Sequence, residues 1–190
     1  DGKGHMTLHP PVSTIRPVFS GEKLIHFNPS NWARELLPFP KRIGVRTAFD
    51  IQEVTSAHDP YLIDFVEAAD YLFFSVSNDG DPTPLIKDYL SLNPDLIIVS
   101  GMGANGCALG TKDGIAYYPA YEMELPVVDT NGAGEALAVG FLTSFVLDGM
   151  DLERSVRRGQ IAARYKCAQK ATSSRMITRE LLDHYDTAKD

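Results

Sequence analysis

The chain has 190 residues, of which 44% are apolar and 23% are charged. These values exclude a disordered, collagen-like or disulfide-scaffold chain and predict one domain over residues 1–190. The formal net charge of −7 excludes a general nucleic-acid binder, because nothing supplies a basic surface for phosphates. The apolar runs are too short to span a membrane, and two cysteines without a disulfide framework predict a reducing, cytoplasmic setting.

The first half of the chain alternates short apolar runs with segments of helical spacing. Residues 1–21 are rich in Gly, Pro, Ser and Thr and predict irregular structure, with a strand at 5–8. Strands are predicted at 24–27, 42–49, 71–74 and 96–99, and the last two of these are continuous apolar runs typical of buried strands. Helices are predicted at 31–37, 60–69 and 84–92, and Pro38 and Pro40 are expected to end the first of them.

The second half begins with a hairpin and continues with long helices. An Asp-Gly turn at 113–114, between apolar runs at 107–110 and 115–118, predicts the β-hairpin. A further strand is predicted at 124–128, and helices are predicted at 132–147, 152–170 and 178–185. Strands separated by helices favour a three-layer α/β fold, with a mostly parallel sheet, a hairpin at its edge and helices on both faces.

The loop at 101–106 has the glycine spacing GxGxxG and follows a predicted strand, as a dinucleotide-binding loop does. Such a loop must open a helix whose N-terminus holds the pyrophosphate, whereas a hairpin is predicted here. That disfavours a dinucleotide site. Two alternatives remain: a plain glycine-rich turn, or a turn whose bare backbone lets a nucleotide lie close.

The segment 127–136 joins a predicted strand to the most apolar helix of the chain. Amides of a first helical turn lack internal partners, and the helix dipole favours negative charge there, so the segment is a candidate anion site. Gly132 and Gly134 would let a phosphate approach, and Glu135 could accept a proton from a substrate hydroxyl. The alternative is a capped helix in which Asp129 or Thr130 is the cap and Glu135 complements the dipole.

Residues 129–135, DTNGAGE, resemble the DTxGAGD signature of the PfkB carbohydrate kinase family, also called ribokinase-like. The predicted strand, glycine turn and hairpin upstream, and the small-residue helices downstream, agree with that family over most of 71–183. The resemblance implies a ribokinase-like (Rossmann-like) fold. It also implies an ATP-dependent phosphotransferase that acts, with Mg²⁺, on a hydroxyl of a carbohydrate or related small molecule. The backbone amides of Gly132, Ala133, Gly134 and Glu135 would form an anion hole, with Glu135 as the base.

The same resemblance implies where smaller ligands bind. The residues expected around the nucleotide are Ser100, Gly101, Gly103, Gly106, Ala162 and Ala163. A monovalent cation such as K⁺ is expected at backbone carbonyls of Asp129 and Asn131 and at others near the end of the downstream helix. No residue is assigned to Mg²⁺. ATP and a sugar-like alcohol are the expected partners, a homodimer is compatible with the family, and neither nucleic acid nor membrane is expected.

Three departures separate this sequence from the family pattern. Glu135 replaces the family's Asp and extends the carboxylate by one methylene, and a displacement of about 1 Å can lower a rate roughly a hundredfold. The family's NxxE motif falls at 75–78, where no Glu stands. The family's N-terminal part and β lid are not visible, which predicts either the C-terminal part of a longer kinase or a kinase whose missing part lies on another chain. These departures favour one alternative, a catalytically impaired nucleotide-binding pseudokinase or regulatory module.

Two further groups of residues carry weaker expectations. Asp50 and Gln52 end a predicted strand whose carboxyl end would face the crevice of an open α/β sheet, so either is a candidate contact for substrate or nucleotide phosphate. A plain strand-end turn is the alternative. Arg154, Arg157 and Arg158 lie on one predicted helix and are interpreted as a solvated face, with a contact to phosphate as the alternative.

Overall fold

The structure is a computed structural model that describes residues 14, 19, 21–54, 56–76, 80–171 and 175–187. The predicted strand at 5–8 lies outside the described residues, as does the end of the 75–78 motif. No helix among the described residues is both long enough and apolar enough to cross a membrane.

Six strands form one sheet in the order in which they occur in the chain. They are β1 (Leu24–Phe27), β2 (Arg46–Glu53), β3 (Tyr71–Ser75), β4 (Ile97–Gly101), β5 (Cys107–Thr111) and β6 (Gly114–Tyr118). The first four strands are parallel, and β5 and β6 form an antiparallel hairpin at the edge. The predicted mostly parallel sheet with a hairpin edge is therefore confirmed.

Seven α-helices surround this sheet in the described part of the chain. They are α1 (Asn31–Arg34), α2 (Pro38–Ile43), α3 (Ile63–Ala68), α4 (Thr83–Leu92), α5 (Ala133–Leu142), α6 (Leu152–Cys167) and α7 (Arg179–Thr187). A π-helical turn, Thr143–Leu147, continues α5. The helices α1 to α4 lie in the connections between consecutive parallel strands.

Successive side chains of each strand point to opposite faces of the sheet and pack into two separate apolar clusters. Leu72 and Phe74 of β3 join the cluster that contains residues of α1, α3 and α4. Tyr71 and Phe73 point to the opposite face and join the cluster that contains residues of α5 and α6. Because successive strand residues face opposite sides, each strand supplies both clusters. The result is the predicted three-layer α/β architecture.

The helices α5 and α6 approach closely at small residues. A Cβ built on Gly140 would lie 2.8 Å from the Ala162 Cβ and 3.0 Å from the Arg158 carbonyl oxygen. A Cβ built on Gly159 would lie 2.8 Å from the Leu137 carbonyl oxygen. Any larger side chain at either glycine would push the two backbones apart. This contact fixes α5 against α6 and hence fixes the position of the α5 N-terminus.

Several local predictions were wrong. Residues 124–128 form no strand; instead the Val128 amide donates to the Cys167 carbonyl at the end of α6, 2.7 Å away. Pro38 starts α2 rather than ending a helix, because a first-turn proline needs no amide partner. The strand predicted from residue 42 begins at Arg46, since residues 42–43 belong to α2. Arg158 is buried rather than solvated.

Candidate active site

The chain enters α5 through a left-handed glycine. Gly132 is the N-cap residue with φ of +81°, a conformation that favours glycine, and no side chain caps the helix. A Cβ built on Gly132 would lie 3.0 Å from Cε of Lys166, so the position has little room on that side. Gly134, in the first turn, is exposed, and a Cβ added to it would meet no described atom within 4 Å. The first turn of α5 is therefore open on the Gly134 side.

The amides at this helix start are only partly engaged. The Ala133 amide donates to the Thr130 carbonyl oxygen, 3.1 Å away, and the Ala136 amide begins the helical series by donating to Gly132. The amides of Gly134 and Glu135 lie in the first turn, where helix geometry provides no carbonyl four residues earlier within the helix. Of the four predicted anion-hole amides, Ala133 is thus already hydrogen-bonded within the turn.

Asp129 organises the segment before the helix. Its Oδ1 accepts from the backbone amide of Asn131 at 3.0 Å and from Asn131 Nδ2 at 2.9 Å. Its Oδ2 accepts from the Ala171 amide at 2.9 Å. These amide hydrogen bonds, first from Asn131 and then from Ala171, hold the pKa of Asp129 below its usual value. The side chains of Asp129 and Asn131 therefore form a structural turn that ties the α5 entrance to the end of α6.

The charge of Glu135, in the first turn of α5, acts on two titratable groups of the sheet. Burial lowers the pKa of His26 on β1, and the charge of Glu135 opposes that shift. Burial raises the pKa of Asp50 on β2; a hydrogen bond from the Gln52 amide, 2.9 Å away, opposes the shift, and the charge of Glu135 adds to it. Glu135 itself is exposed. Its carboxylate thus lies close enough to two strand residues to perturb both.

Asp50 sits beside a backbone irregularity. Gln52 has φ of +65°, and the pairing of β2 with β3 shifts register between Asp50 and Glu53. A non-glycine residue in the left-handed region is uncommon and typical of functional or tightly determined positions. The irregularity lies towards the carboxyl end of β2, the end at which open α/β sheets bind ligands.

The glycine loop leads into the hairpin and not into an α-helix. Residues Gly103–Asn105 form one 3₁₀ turn, and β5 follows directly. Gly106 has φ of +95°, and a Cβ there would lie 2.0 Å from the Tyr118 carbonyl oxygen, so only glycine fits. A dinucleotide fingerprint needs a helix at this point. The dinucleotide alternative is therefore wrong.

The matching family model is that of the pfkB family carbohydrate kinases, and it matches residues 51–179. The chain belongs to the pfkB family of carbohydrate kinases. The signature segment at 129–135, at the entrance to α5, lies within that match. The resemblance inferred from this segment is thus confirmed at the level of the family.

Two enzymes and one solved structure illustrate what this pfkB chain is similar to. It is 30% identical over 142 residues to an acarbose 7(IV)-phosphotransferase of Actinoplanes sp., a match that covers 74% of this chain and 47% of that protein. It is 30% identical over 127 residues to an ATP-dependent ribose-1-phosphate kinase of Halopiger xanaduensis, covering 63% and 41%. A microbiome-derived acarbose kinase, Mak1, matches its fold with a TM-score of 0.84 at 24% identity, covering 95% and 61%. The chain spans about half the length of the curated relatives that it matches.

The residues predicted around the nucleotide differ in their accessibility. Gly103 is exposed, and Gly101 and Ala163 are half-buried. Ser100 is fully buried in β4, and its hydroxyl has no hydrogen-bond partner among the described residues. Ala162 is 2% exposed and packs against Gly140. Ser100 and Ala162 therefore present almost no side-chain surface to a ligand, and their predicted contacts stay predictions.

Within the described ranges, no group of three His, Cys, Asp or Glu side chains is placed to hold a metal ion. Magnesium commonly takes one or two protein carboxylates and completes its shell with substrate phosphates and water. Two carboxylates are available near the α5 entrance, those of Glu135 and Asp50, and the charge of Glu135 raises the pKa of Asp50. The residues present therefore fit a Mg²⁺ that arrives with nucleotide phosphates, not a preformed protein site.

Sequence reasoning missed two residues that lie near the entrance to α5. His26 was passed over because a single histidine in an apolar strand carries no spacing signal. Lys166 was passed over because a lysine on a long amphipathic helix usually faces water, whereas here its side chain is buried against the segment that precedes α5. The glycine at 132 was the available signal, since a bare backbone position often marks a close approach.

Proposed function

We propose that this chain carries the phosphate-binding and catalytic part of an ATP-dependent kinase that phosphorylates a hydroxyl of a carbohydrate or related small molecule. The names of the relatives, a phosphotransferase and a kinase of sugar compounds, support this reaction class. The observation that carries the proposal is the open first turn of α5, where Gly134 leaves the backbone accessible and Glu135 stands on the same rim.

The proposed chemistry needs little movement of protein groups. The amides of Gly134 and Glu135, with the positive end of the α5 dipole, stabilise the negative charge of the transferring phosphoryl group. The Glu135 carboxylate accepts the proton of the attacking hydroxyl. Magnesium, bound with the nucleotide, would neutralise phosphate charge. The close contact of α5 with α6 at Gly140 and Gly159 holds this turn in place.

The proposal includes a cytoplasmic location, in keeping with ATP use and with the free thiols of Cys107 and Cys167. A homodimer stays a prediction.

Calorimetric ATP binding and turnover with a panel of sugars and nucleosides test the proposal. We expect Glu135→Gln to lower turnover by about 10²–10⁴-fold while ATP still binds, because it removes only the base. Glu135→Asp keeps the carboxylate and should retain measurable activity. Glu180→Gln is the matched control, since Glu180 is also an exposed first-turn glutamate, on α7. It should change neither quantity.

The results separate the kinase from the alternative. ATP binding without turnover in every variant and with every acceptor would favour a nucleotide-binding pseudokinase or regulatory module. Absence of ATP binding would contradict both functions. Turnover that survives Glu135→Gln would assign the base elsewhere, with Asp50 the next carboxylate to test.

A further inference from the structure

Lys166 belongs to the last turn of α6, and its side chain is buried against the entrance to α5. Only 8% of the residue is exposed. Its Cε, Cγ and Cδ lie 3.0, 3.9 and 4.0 Å from the position that a Cβ on Gly132 would take. A lysine side chain that covers a left-handed glycine in this way restricts the backbone that leads into the anion-binding turn.

The Lys166 ammonium donates hydrogen bonds to backbone carbonyl oxygens. Its Nζ donates to the carbonyl oxygens of Lys170 at 3.3 Å and Ala171 at 3.4 Å, just beyond the end of α6. The Ala171 amide in turn donates to Asp129, whose carboxylate lies within electrostatic reach of Lys166. The amides of Val128 and Asp129 both donate to the Cys167 carbonyl. The buried ammonium of Lys166 thus lies near two carbonyls and a carboxylate. These groups belong to the end of α6 and to the segment that leads into α5, and their hydrogen bonds join the two.

This arrangement disagrees with the monovalent cation expected from the family resemblance. Such an ion was expected at carbonyls of Asp129 and Asn131 and at others near the end of the downstream helix, which is α6. Carbonyls in that region, those of Lys170 and Ala171, already accept from an ammonium of charge +1. A second monovalent cation beside it would meet a like charge at short distance. The residues present therefore do not fit K⁺ together with Lys166.

We propose that the Lys166 ammonium takes the place of a monovalent cation and positions the 129–132 segment and the start of α5, so that the protein does not depend on K⁺. Lys166 is then a positioning residue, because it acts through the backbone that forms the phosphate-binding turn. The catalytic part of this inference rests on the proposed kinase function, whereas the intramolecular cation itself does not.

A simpler role for Lys166 is to cap the carbonyls at the end of its own helix. A cap and a cation substitute respond differently when the ammonium is removed. Loss of a cap lowers stability in every salt. Loss of a cation substitute leaves a vacant site that a free cation of similar charge and size can fill, so stability recovers in a cation-specific manner.

Thermal unfolding of the full chain in KCl, NaCl, NH₄Cl and choline chloride at equal ionic strength distinguishes these roles. For the native sequence we expect the same Tm in all four salts. For Lys166→Met we expect a lower Tm that rises by about 4 °C in K⁺ or NH₄⁺ at roughly ten times the dissociation constant of the ion. Lys170→Met, which removes an exposed lysine near the same carbonyls, should behave as the native chain.

A second readout follows the phosphate-binding turn itself. Calorimetry of ATP with Lys166→Met should show affinity lowered by about tenfold in choline chloride and recovered in NH₄Cl. Lys166→Gln, which keeps a polar side chain of shorter length, provides a second variant for the Tm series if the methionine variant does not fold.

Two outcomes would overturn the inference. A K⁺-specific rise in the Tm of the native chain would show that a cation site exists beside Lys166. A Tm loss in the Lys166 variants that no cation reverses would reduce Lys166 to a helix cap. Because neither measurement depends on turnover, an inactive chain would contradict the proposed function and leave this inference intact.

Discussion

At the scale of single residues, two glycines two positions apart have opposite structural demands. Gly132 needs its left-handed backbone and faces Lys166, whereas Gly134 has helical surroundings and open space. Gly132 is required for the backbone conformation at the helix start, whereas the space beside Gly134 is not filled by any described residue. Unused room at a helix start is what a phosphate would occupy.

Alanine substitutions separate these two demands. We expect Gly132→Ala to destabilise the chain by about 1–2 kcal/mol, because alanine resists a positive φ. Gly134→Ala should stabilise it by about 0.5–1 kcal/mol, because alanine favours the helix. It should nevertheless weaken ATP binding by about tenfold, because the methyl group obstructs the phosphate. Urea unfolding and calorimetry measure the two effects. Unchanged ATP affinity in Gly134→Ala would argue against a phosphate at this turn.

The Asp129 turn predicts a pH dependence with a definite sign. Amide hydrogen bonds hold the pKa of this carboxyl below 3.8, so its contribution to stability is complete above that pH and is lost as the pH falls through the lowered value. The difference in Tm between the native chain and Asp129→Asn should therefore be constant near neutral pH and shrink below pH 3.8.

Asp113→Asn, in the exposed hairpin turn, is the control and should differ little from the native chain at any pH. A difference for Asp129→Asn that persists unchanged in acid would mean that its hydrogen bonds do not depend on the charge.

Residue environments were the least predictable level of the structure. The glycine spacing at 132–134 predicted a glycine turn that leads into a helix, because the conformation of a turn depends on its own residues. The burial of Lys166 and Arg158 depends on partners from distant parts of the chain, Gly132 for the first and Asp186 for the second. The helical pattern of the sequence by itself predicts that both charged side chains are exposed to solvent.

At the scale of elements, α7 is held to the rest of the molecule by a buried ion-pair network. Arg158 is fully buried and donates to Ser144 at 2.9 Å, to Asp183 at 2.7 Å and to Asp186 at 3.3 Å. Arg154 also donates to Asp186 at 2.8 Å. Since Ser144 lies in the π-helical turn that follows α5, the network joins α5, α6 and α7.

The two aspartates of this network should differ in importance. The Asp186 side chain is 3% exposed and that of Asp183 is 55% exposed. We expect Asp186→Asn to cost about 3 kcal/mol, because it removes the buried carboxylate that pairs with the fully buried Arg158. Asp183→Asn should cost about 0.5 kcal/mol, because the Asp183 carboxylate is largely exposed to water. Chemical denaturation measures both. Equal effects would show that burial does not make Asp186 more important than Asp183 for stability.

Elements were predictable where the local pattern and the tertiary environment agree. The apolar runs at 24–27 and 71–74 and the Asp-Gly hairpin appear as strands because continuous apolar segments fit a sheet covered on both faces. The run at 124–128 failed because its backbone partner is the end of α6 and not a neighbouring strand. No pattern within five residues reports which partner a segment will find.

At the scale of the whole molecule, one sheet supports both apolar clusters. Neither cluster persists without the strands that it shares with the other, which predicts a single cooperative unfolding transition. Trp32, the one tryptophan of the chain, lies in α1 on one face, whereas the longest helices, α5 and α6, lie on the other. Trp32 fluorescence and far-UV circular dichroism should therefore give coincident urea transitions.

Separate transitions would show that the α5–α6 layer unfolds from the sheet independently. In that case the α5 entrance would open before the fold is lost, and ATP should shift only the circular dichroism transition.

The sequential strand order has a consequence for synthesis. The helices α1, α3 and α4, which contribute to the apolar cluster on one face, alternate along the chain with the parallel strands, so that face closes as the nascent chain emerges, N-terminus first. The other face includes Ala48, Tyr71, Phe73 and Val99. It stays uncovered until α5 and α6 are synthesised, and these helices follow all six strands in the chain. A ribosome that stalls before Ala133 would hold a sheet with one bare apolar surface. The chain order thus sets an interval in which a chaperone would find its binding surface.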